Sequence, residues 1–194
     1  GKKNLQNMLS VVFQDYTTSA NPRFRIRDIL AEGIRVKERK NGKKTDRSAE
    51  YCRLLELVGL EETFLDRVPQ ERAGGQLQRG CIARAVACEP EFILFDEAIS
   101  SLDAHTQVQV MDLLKELKEK LGLTYVFITH DLTSVTYLCD EVMFLYKGRI
   151  TEHIPVSRIA QTTDVYARKL LDSIIEFDEE YDDEMDVKES EESA

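Results

Sequence analysis

The segment that most constrains this chain is Phe92-Ile93-Leu94-Phe95, four apolar residues in succession that stop on two carboxylates, Asp96-Glu97. A strand covered on one face alternates apolar and polar residues. A run without alternation is expected to be buried on both faces, as in a parallel sheet between layers of helix. A second run, Thr124-Tyr125-Val126-Phe127-Ile128, stops on Thr129-His130-Asp131. Between them, residues 108–121 set Val110, Leu113, Leu114, Leu117 and Leu121 on one helical face, with Gly122 placed to end it. Strand, helix and strand of these lengths predict an α/β layered domain.

The remaining segments fit that class. Leu9–Phe13 is a short β-branched run entering a loop at Gln14, and residues 15–28, with Asn21-Pro22, read as a loop and a short helix. Residues 46–58 carry apolar side chains at helical spacing, with Asp46 as a cap and Gly59 as a stop. Ala73-Gly74-Gly75-Gln76 opens a further helix that Pro90 stops. Val142–Tyr146, Lys147-Gly148 and Arg149–Glu152 spell strand, turn and strand, and residues 164–177 a last helix.

Charge divides the chain in two. The formal net charge is −10, from 26 Lys+Arg and 36 Asp+Glu. Residues 176–194 hold 11 of the acidic residues and one basic residue, Lys188, so the body keeps 25 of each sign. A balanced body lacks the basic excess with which a nucleic-acid binder neutralises phosphates. The tail is too acidic and too poor in apolar residues to pack, and it is expected to be disordered. Cys52, Cys81, Cys88 and Cys139 form no C-x-x-C and stand at no zinc-finger spacing, so reduced thiols in a cytosolic protein are expected. The apolar runs are too short to span a membrane, and no export signal is visible.

The chemistry gathers at strand ends. In α/β sheets ligands sit beyond the carboxyl ends of parallel strands, and three such ends here carry Gln14, Asp96-Glu97 and His130. An aspartate after a buried strand can hold Mg²⁺, an adjacent glutamate can polarise an attacking water, and a histidine can contact a γ-phosphate. A glutamine can sense the metal and that water. The glycines at 74 and 75 let backbone N–H groups approach an anion at a helix N-terminus.

Together these residues resemble the nucleotide-binding domain of ABC transporters, over about Leu9 to Glu152. Phe13-Gln14-Asp15 resembles the Q-loop and Ala73-Gly74-Gly75-Gln76-Leu77-Gln78-Arg79 the signature motif. Ile93–Glu97 resembles the Walker B strand, Ser100-Ser101-Leu102-Asp103 the D-loop, and Ile128-Thr129-His130-Asp131 the H-loop. The segments Val12–Asp15, Asn21-Pro22 and Leu57–Leu60 are similar to the dipeptide, oligopeptide and nickel importer group. Ala98, where most relatives have Pro, leans towards the nickel import proteins.

The resemblance implies an α/β ATPase domain, with a helical subdomain at about 20–90 in a body of residues 1–175. Two such domains, identical or different, would face each other with ATP between Walker A of one and the signature of the other. Glu97 and His130 would be catalytic, and Asp96 and Gln14 would hold Mg²⁺. Ala73, Gly74, Gly75, Gln76, Gln14 and Asp103 would meet nucleotide. The segment from Gln14 to Arg27 would contact membrane permease subunits, placing the protein peripherally on the cytoplasmic face of the membrane.

Two departures carry expectations of their own. No G-x-x-x-x-G-K-[S/T] occurs in the chain; Gly42-Lys43-Lys44-Thr45 is the nearest string and lacks the upstream Gly and preceding strand. A Walker A loop cradles the β- and γ-phosphates. The chain is therefore expected to be the C-terminal portion of a longer domain that binds ATP poorly by itself. The missing strand is expected beside the Walker B strand, and its absence is expected to leave an unpaired strand edge or to recruit another chain to cover it. The second departure is Arg72-Ala73 where Leu-Ser is usual, which removes a hydroxyl donor to the γ-phosphate. Restoring serine at 73 is expected to raise ATPase activity. The alternative is a non-catalytic subunit that lends its signature motif to a partner's ATP site.

Overall fold

The computed structural model describes residues 8–14, 24–68 and 74–172. Asp15, Asn21-Pro22, Arg72, Ala73 and the acidic tail, about which the sequence raises expectations, lie outside the described residues. The chain divides into two compact units, 1–131 and 132–194.

The first unit holds a parallel sheet of β1 (Leu9–Phe13), β2 (Phe92–Asp96) and β3 (Thr124–Ile128), in that order. Val12, Ile93 and Phe95 are buried on one face. There Phe95 stacks on Phe127 at 4.6 Å and meets Tyr125 edge-on at 5.1 Å, both favoured aromatic geometries. The Tyr125 hydroxyl donates to the Leu114 carbonyl at 3.0 Å, which ties this face to α4 (Ala104–Leu121). That helix buries Val110, Leu113, Leu114 and Leu117, the stripe its sequence spells.

Two expectations about the sheet need correction. β2 is buried on one face only: Phe92 is 38% exposed, and Leu9, Phe13, Val126 and Ile128 are exposed on the same side. Within this unit no described element covers that side, so β3 alternates exposed and half-buried residues in spite of its unbroken apolar sequence. Nor is there an open edge beside β2, because β1 and β3 occupy both of its edges. The unpaired edges belong to the outer strands.

Three helices pack together, one of them against β1. α1 (Ile26–Asn41) buries Ile26, Ile29, Leu30 and Ile34 against α3 (Gly74–Ala87). Its first turn is closed by Asp28, which accepts from the Arg25 amide at 3.0 Å. The sequence suggests only a loop and a short helix within residues 15–28, so most of α1 lies beyond the segment in which a helix is expected. Gly42 then closes α1 as a left-handed C-cap (φ 67°), so Gly42-Lys43-Lys44-Thr45 follows a helix and has no strand before it. α2 (Arg47–Leu57) begins as expected, with Asp46 accepting from the amides of Ser48 and Ala49 at 3.0 and 3.3 Å.

An ion network fastens these helices. Lys37 of α1 bonds Glu50 of α2 at 3.1 Å and Glu89, beyond α3, at 2.8 Å, and Arg53 closes on Glu50 at 2.6 Å. The Lys37 and Glu50 side chains are 16% and 8% exposed. Burial opposes the Lys37 charge, yet its hydrogen bonds to Glu89 and Glu50 win and hold its pKa above 10.5. The Arg53 hydrogen bond leads in drawing the Glu50 carboxyl below its ordinary range.

The second unit contains α5 (Leu132–Leu138) and an antiparallel hairpin of β4 (Glu141–Tyr146) and β5 (Arg149–Pro155). Lys147 and Gly148 both have positive φ (48° and 76°), as a two-residue hairpin turn matched to strand twist requires. A 3₁₀ turn (Val156–Gln161) and a helix over 165–172 follow, and Tyr146 stacks on Tyr166 at 4.6 Å. Among the described residues no helix is long and apolar enough to cross a membrane.

Candidate functional site

The register of the sheet assembles the site. Phe13, Asp96 and Ile128 lie on one rung at the carboxyl end of the three strands. The residues that follow, Gln14, Glu97 and Thr129-His130, therefore leave the sheet side by side. The convergence expected from three separate strand ends is met by parallel pairing in register.

Glu97 is the centre of this group. Its backbone is left-handed (φ 50°), a conformation that costs a non-glycine residue about 1–3 kcal/mol and that clusters at functional sites. The backbone is held there by the Glu97 amide, which donates to the Ile128 carbonyl at 2.9 Å. Its Oε1 lies 2.9 Å from His130 Nδ1. Its Oε2 is buried and has no hydrogen-bond partner among the described residues. The side chain of Glu97 is 27% exposed and that of His130 78%, so the pair stands at the rim of the sheet. The hydrogen bond to Glu97, with its charge, holds the His130 imidazole above its ordinary 6.5, favouring the protonated ring.

Neighbouring groups hold Asp131, the residue after His130. Thr129 Oγ1 accepts from the Asp131 amide at 3.0 Å, and Gln107 of α4 donates to Asp131 Oδ2 at 2.9 Å. Asp96 ends β2 half-buried, with no side-chain hydrogen bond or ion pair among the described residues. Gln14 Nε2 donates to Ser100 Oγ at 3.1 Å.

The glycine-opened helix and the D-loop form a second group. Gly74 begins α3, as its sequence suggests. A Cβ on Gly75 would stand 2.3 Å from Thr106 Cγ2, so close packing against α4 requires glycine there, apart from any ligand. Gly75, Gln76, Arg79, Leu102, Asp103 and Thr106 line a cleft of about 450 Å³. Asp103 also works as the N-cap of α4, accepting from the Thr106 amide at 3.0 Å and its hydroxyl at 2.6 Å. Those two bonds hold its carboxyl below the usual 3.8. The sequence reading assigned Asp103 to nucleotide and did not foresee the cap, although Asp three residues before Thr106 was the available signal. Ser100 and Gln107 were also missed, since their partners are remote in sequence.

A parallel sheet whose in-register strand ends present a carboxylate pair, a histidine and a glutamine, beside a helix opened by two glycines, is an α/β fold of the class that solved ATP-binding cassettes share. The solved structure of cbiO1 from Clostridium perfringens, described as part of the ABC transporter complex cbiONQ, superposes with a TM-score of 0.69. It covers 86% of this chain and 64% of its own at 24% identity, a likeness of fold. The ATP-binding cassette MJ0796, a dimer in a post-hydrolysis state with ADP and Pi, gives a TM-score of 0.64. The identity is 29%, over 77% of this chain and 63% of that one.

Residues 1–100 match the family model described as ABC transporter, and the chain belongs to that family. It is 42% identical to the metal-staphylopine import system ATP-binding protein CntF of Staphylococcus aureus (strain Mu50), over 91% of this chain and 70% of the relative. It is 40% identical to the oligopeptide transport ATP-binding protein OppF of Bacillus subtilis (strain 168), over 94% of this chain and 62% of the relative.

Proposed function

We propose that the chain is the larger part of the ATP-hydrolysing subunit of an importer, with metal complexes or small peptides as cargo. The observation that carries this reading is the Glu97–His130 pair at the carboxyl end of the sheet, with one buried Glu97 oxygen left without a partner among the described residues.

The residues present suit Mg²⁺ and a triphosphate. Asp96 brings a carboxylate, and Gln14, its amide nitrogen engaged by Ser100, keeps its oxygen unengaged among the described residues; both are the hard oxygen donors that Mg²⁺ takes. Bound Mg²⁺ supplies neutralisation of phosphate charge. Glu97 Oε2 is positioned to accept a hydrogen bond from a water and polarise it. With Nδ1 of His130 against Glu97, the Nε2 side of the ring is left to donate to a phosphate oxygen. Gly74 and Gly75 would present backbone amides from the start of α3 to the nucleotide of a facing subunit.

The chain contains no phosphate-cradling G-x-x-x-x-G-K-[S/T]. We infer that residues 1–194 alone bind Mg-ATP weakly. The same absence favours a second reading, a non-catalytic subunit that completes a partner's site; the Glu97–His130 pair weighs against it, since such a subunit has no use for them. The partners proposed are a second ATPase subunit and membrane permease subunits, on the cytoplasmic face of the membrane. The similarity to both a metal-import and an oligopeptide-transport protein supports the cargo classes, and nickel is the finer reading that Ala98 suggested.

The test is Mg-ATP turnover by the intact protein. Glu97→Gln is expected to lower kcat by about 10²- to 10⁴-fold with ATP still bound. Turnover at the wild-type rate in that variant would overturn the catalytic assignment.

A further inference from the structure

The Ser100 hydroxyl lies between two residues of the site that are far apart in sequence. It accepts from Gln14 Nε2 at 3.1 Å and donates to the Glu97 carbonyl at 2.9 Å. A serine hydroxyl has one proton to give and lone pairs to receive, so both bonds form at once. The bond to Glu97 alone would be ordinary turn chemistry, a serine reaching three residues back. The bond to Gln14 spans 86 positions and is not a local event.

The place of these bonds gives them consequence. The Glu97 residue is left-handed at φ 50°, and its amide is already fixed by the Ile128 carbonyl at 2.9 Å. The Ser100 hydroxyl fixes its carbonyl, so hydrogen bonds hold the residue from both sides. The Ser100 amide adds only a long 3.4 Å contact to the same carbonyl. On its other side the hydroxyl takes one amide proton of Gln14 and leaves that amide's oxygen to face elsewhere.

We propose that Ser100 is a positioning residue that couples the orientation of Gln14 to the backbone of Glu97, an inference that rests on the ATPase reading above. A displacement of the end of β1 reaches the carboxylate that polarises water through a single hydroxyl. Threonine at 100 retains the donor and acceptor, cysteine retains them in weakened form, and alanine removes both.

The experiment uses the full chain with ¹⁵N-labelled glutamine and no nucleotide. The Gln14 side-chain amide is identified by its disappearance in Gln14→Leu. In Ser100→Ala its resonances are expected to move and its proton exchange to quicken by about tenfold, the loss of one hydrogen bond. Ser100→Thr restores the wild-type signals and Ser100→Cys falls between, which keeps the test decisive if the alanine variant folds poorly. Gln14 signals that ignore both Ser100→Ala and Ser100→Cys overturn the proposal. In the intact ATPase, Ser100→Ala is expected to lower kcat by about tenfold with KM for ATP within about twofold, and Ser100→Thr to rescue it. A change confined to KM overturns the coupling to Glu97. An intact wild-type protein that hydrolyses no ATP refutes the ATPase reading instead, and the nucleotide-free amide measurement still decides the role of Ser100 in linking the two residues.

Discussion

The ion network of the helices and the polar group at the sheet end use the same residue types in opposite ways. Around Lys37, each charge has an opposite partner within 3.1 Å: Glu50 and Glu89 for the lysine, Arg53 for Glu50. At the sheet end, Asp96 has no partner among the described residues, Glu97 uses one oxygen of two, and His130 stands exposed. A buried charge that only stabilises must be fully paired, because the desolvation penalty is several kcal/mol per ion. A carboxylate left half-satisfied on a left-handed backbone, as Glu97 is, belongs to the pattern that clusters at functional sites.

Substitutions should separate the two regions, beginning with the largest effect. Glu50→Ala leaves Lys37 buried with one partner lost, and is expected to cost about 3–5 kcal/mol in urea denaturation. Glu97→Gln, which removes most of the turnover, should change the same denaturation midpoint little. A large loss of stability in Glu97→Gln would break the contrast. Gly75→Ala forces a methyl onto Thr106 Cγ2 and should cost about 1–3 kcal/mol, as overpacking does. Thr106→Ser in the same chain removes that carbon and should recover most of the loss; failure to recover would show that glycine is needed for another reason. Glu97→Gly should stabilise the chain by about 1 kcal/mol by relieving the left-handed backbone, at the expense of turnover.

The smallest effects are in pH dependence. His130 titrates above 6.5 because protonation gains the Glu97 contact. Its contribution to stability is complete below the unfolded-state value and fades as pH rises through the folded one. The ring is 78% exposed, so solvent screens the effect and an NMR titration is the suitable measurement. Glu97→Gln should return the His130 midpoint towards 6.5. For Glu50 and Glu89 the sign reverses: their folded values lie below 4.5, so their contribution is present at neutral pH and lost as pH falls through those lowered values.

Much of the site was legible in the sequence because polar residues ending an apolar run are a local signal. Asp96 ends its strand and Gln14, Glu97 and His130 follow theirs within two residues, and Asp46 and Gly122 sit where helix ends require them. The exposed face of β2 was not legible. An apolar run states what a strand can tolerate on each side, while its neighbours decide what covers it. The extent of α1 was not legible beyond the short helix expected within 15–28, because its buried face is defined by packing against α3, which is remote in sequence.

The sequence by itself determined the kinds of element, the order of the motifs and the chemical groups at the strand ends, all of which depend on residues within a turn or two of one another. Tertiary structure decided that β2 lies between β1 and β3 with Phe13, Asp96 and Ile128 on one rung. It also decided that Ser100 meets Gln14, and that Gly75 has room for no side chain beside Thr106. The physical reason is that parallel pairing and helix contact join segments far apart in the chain. Their register is set by close packing between surfaces, which spacing along one strand does not record.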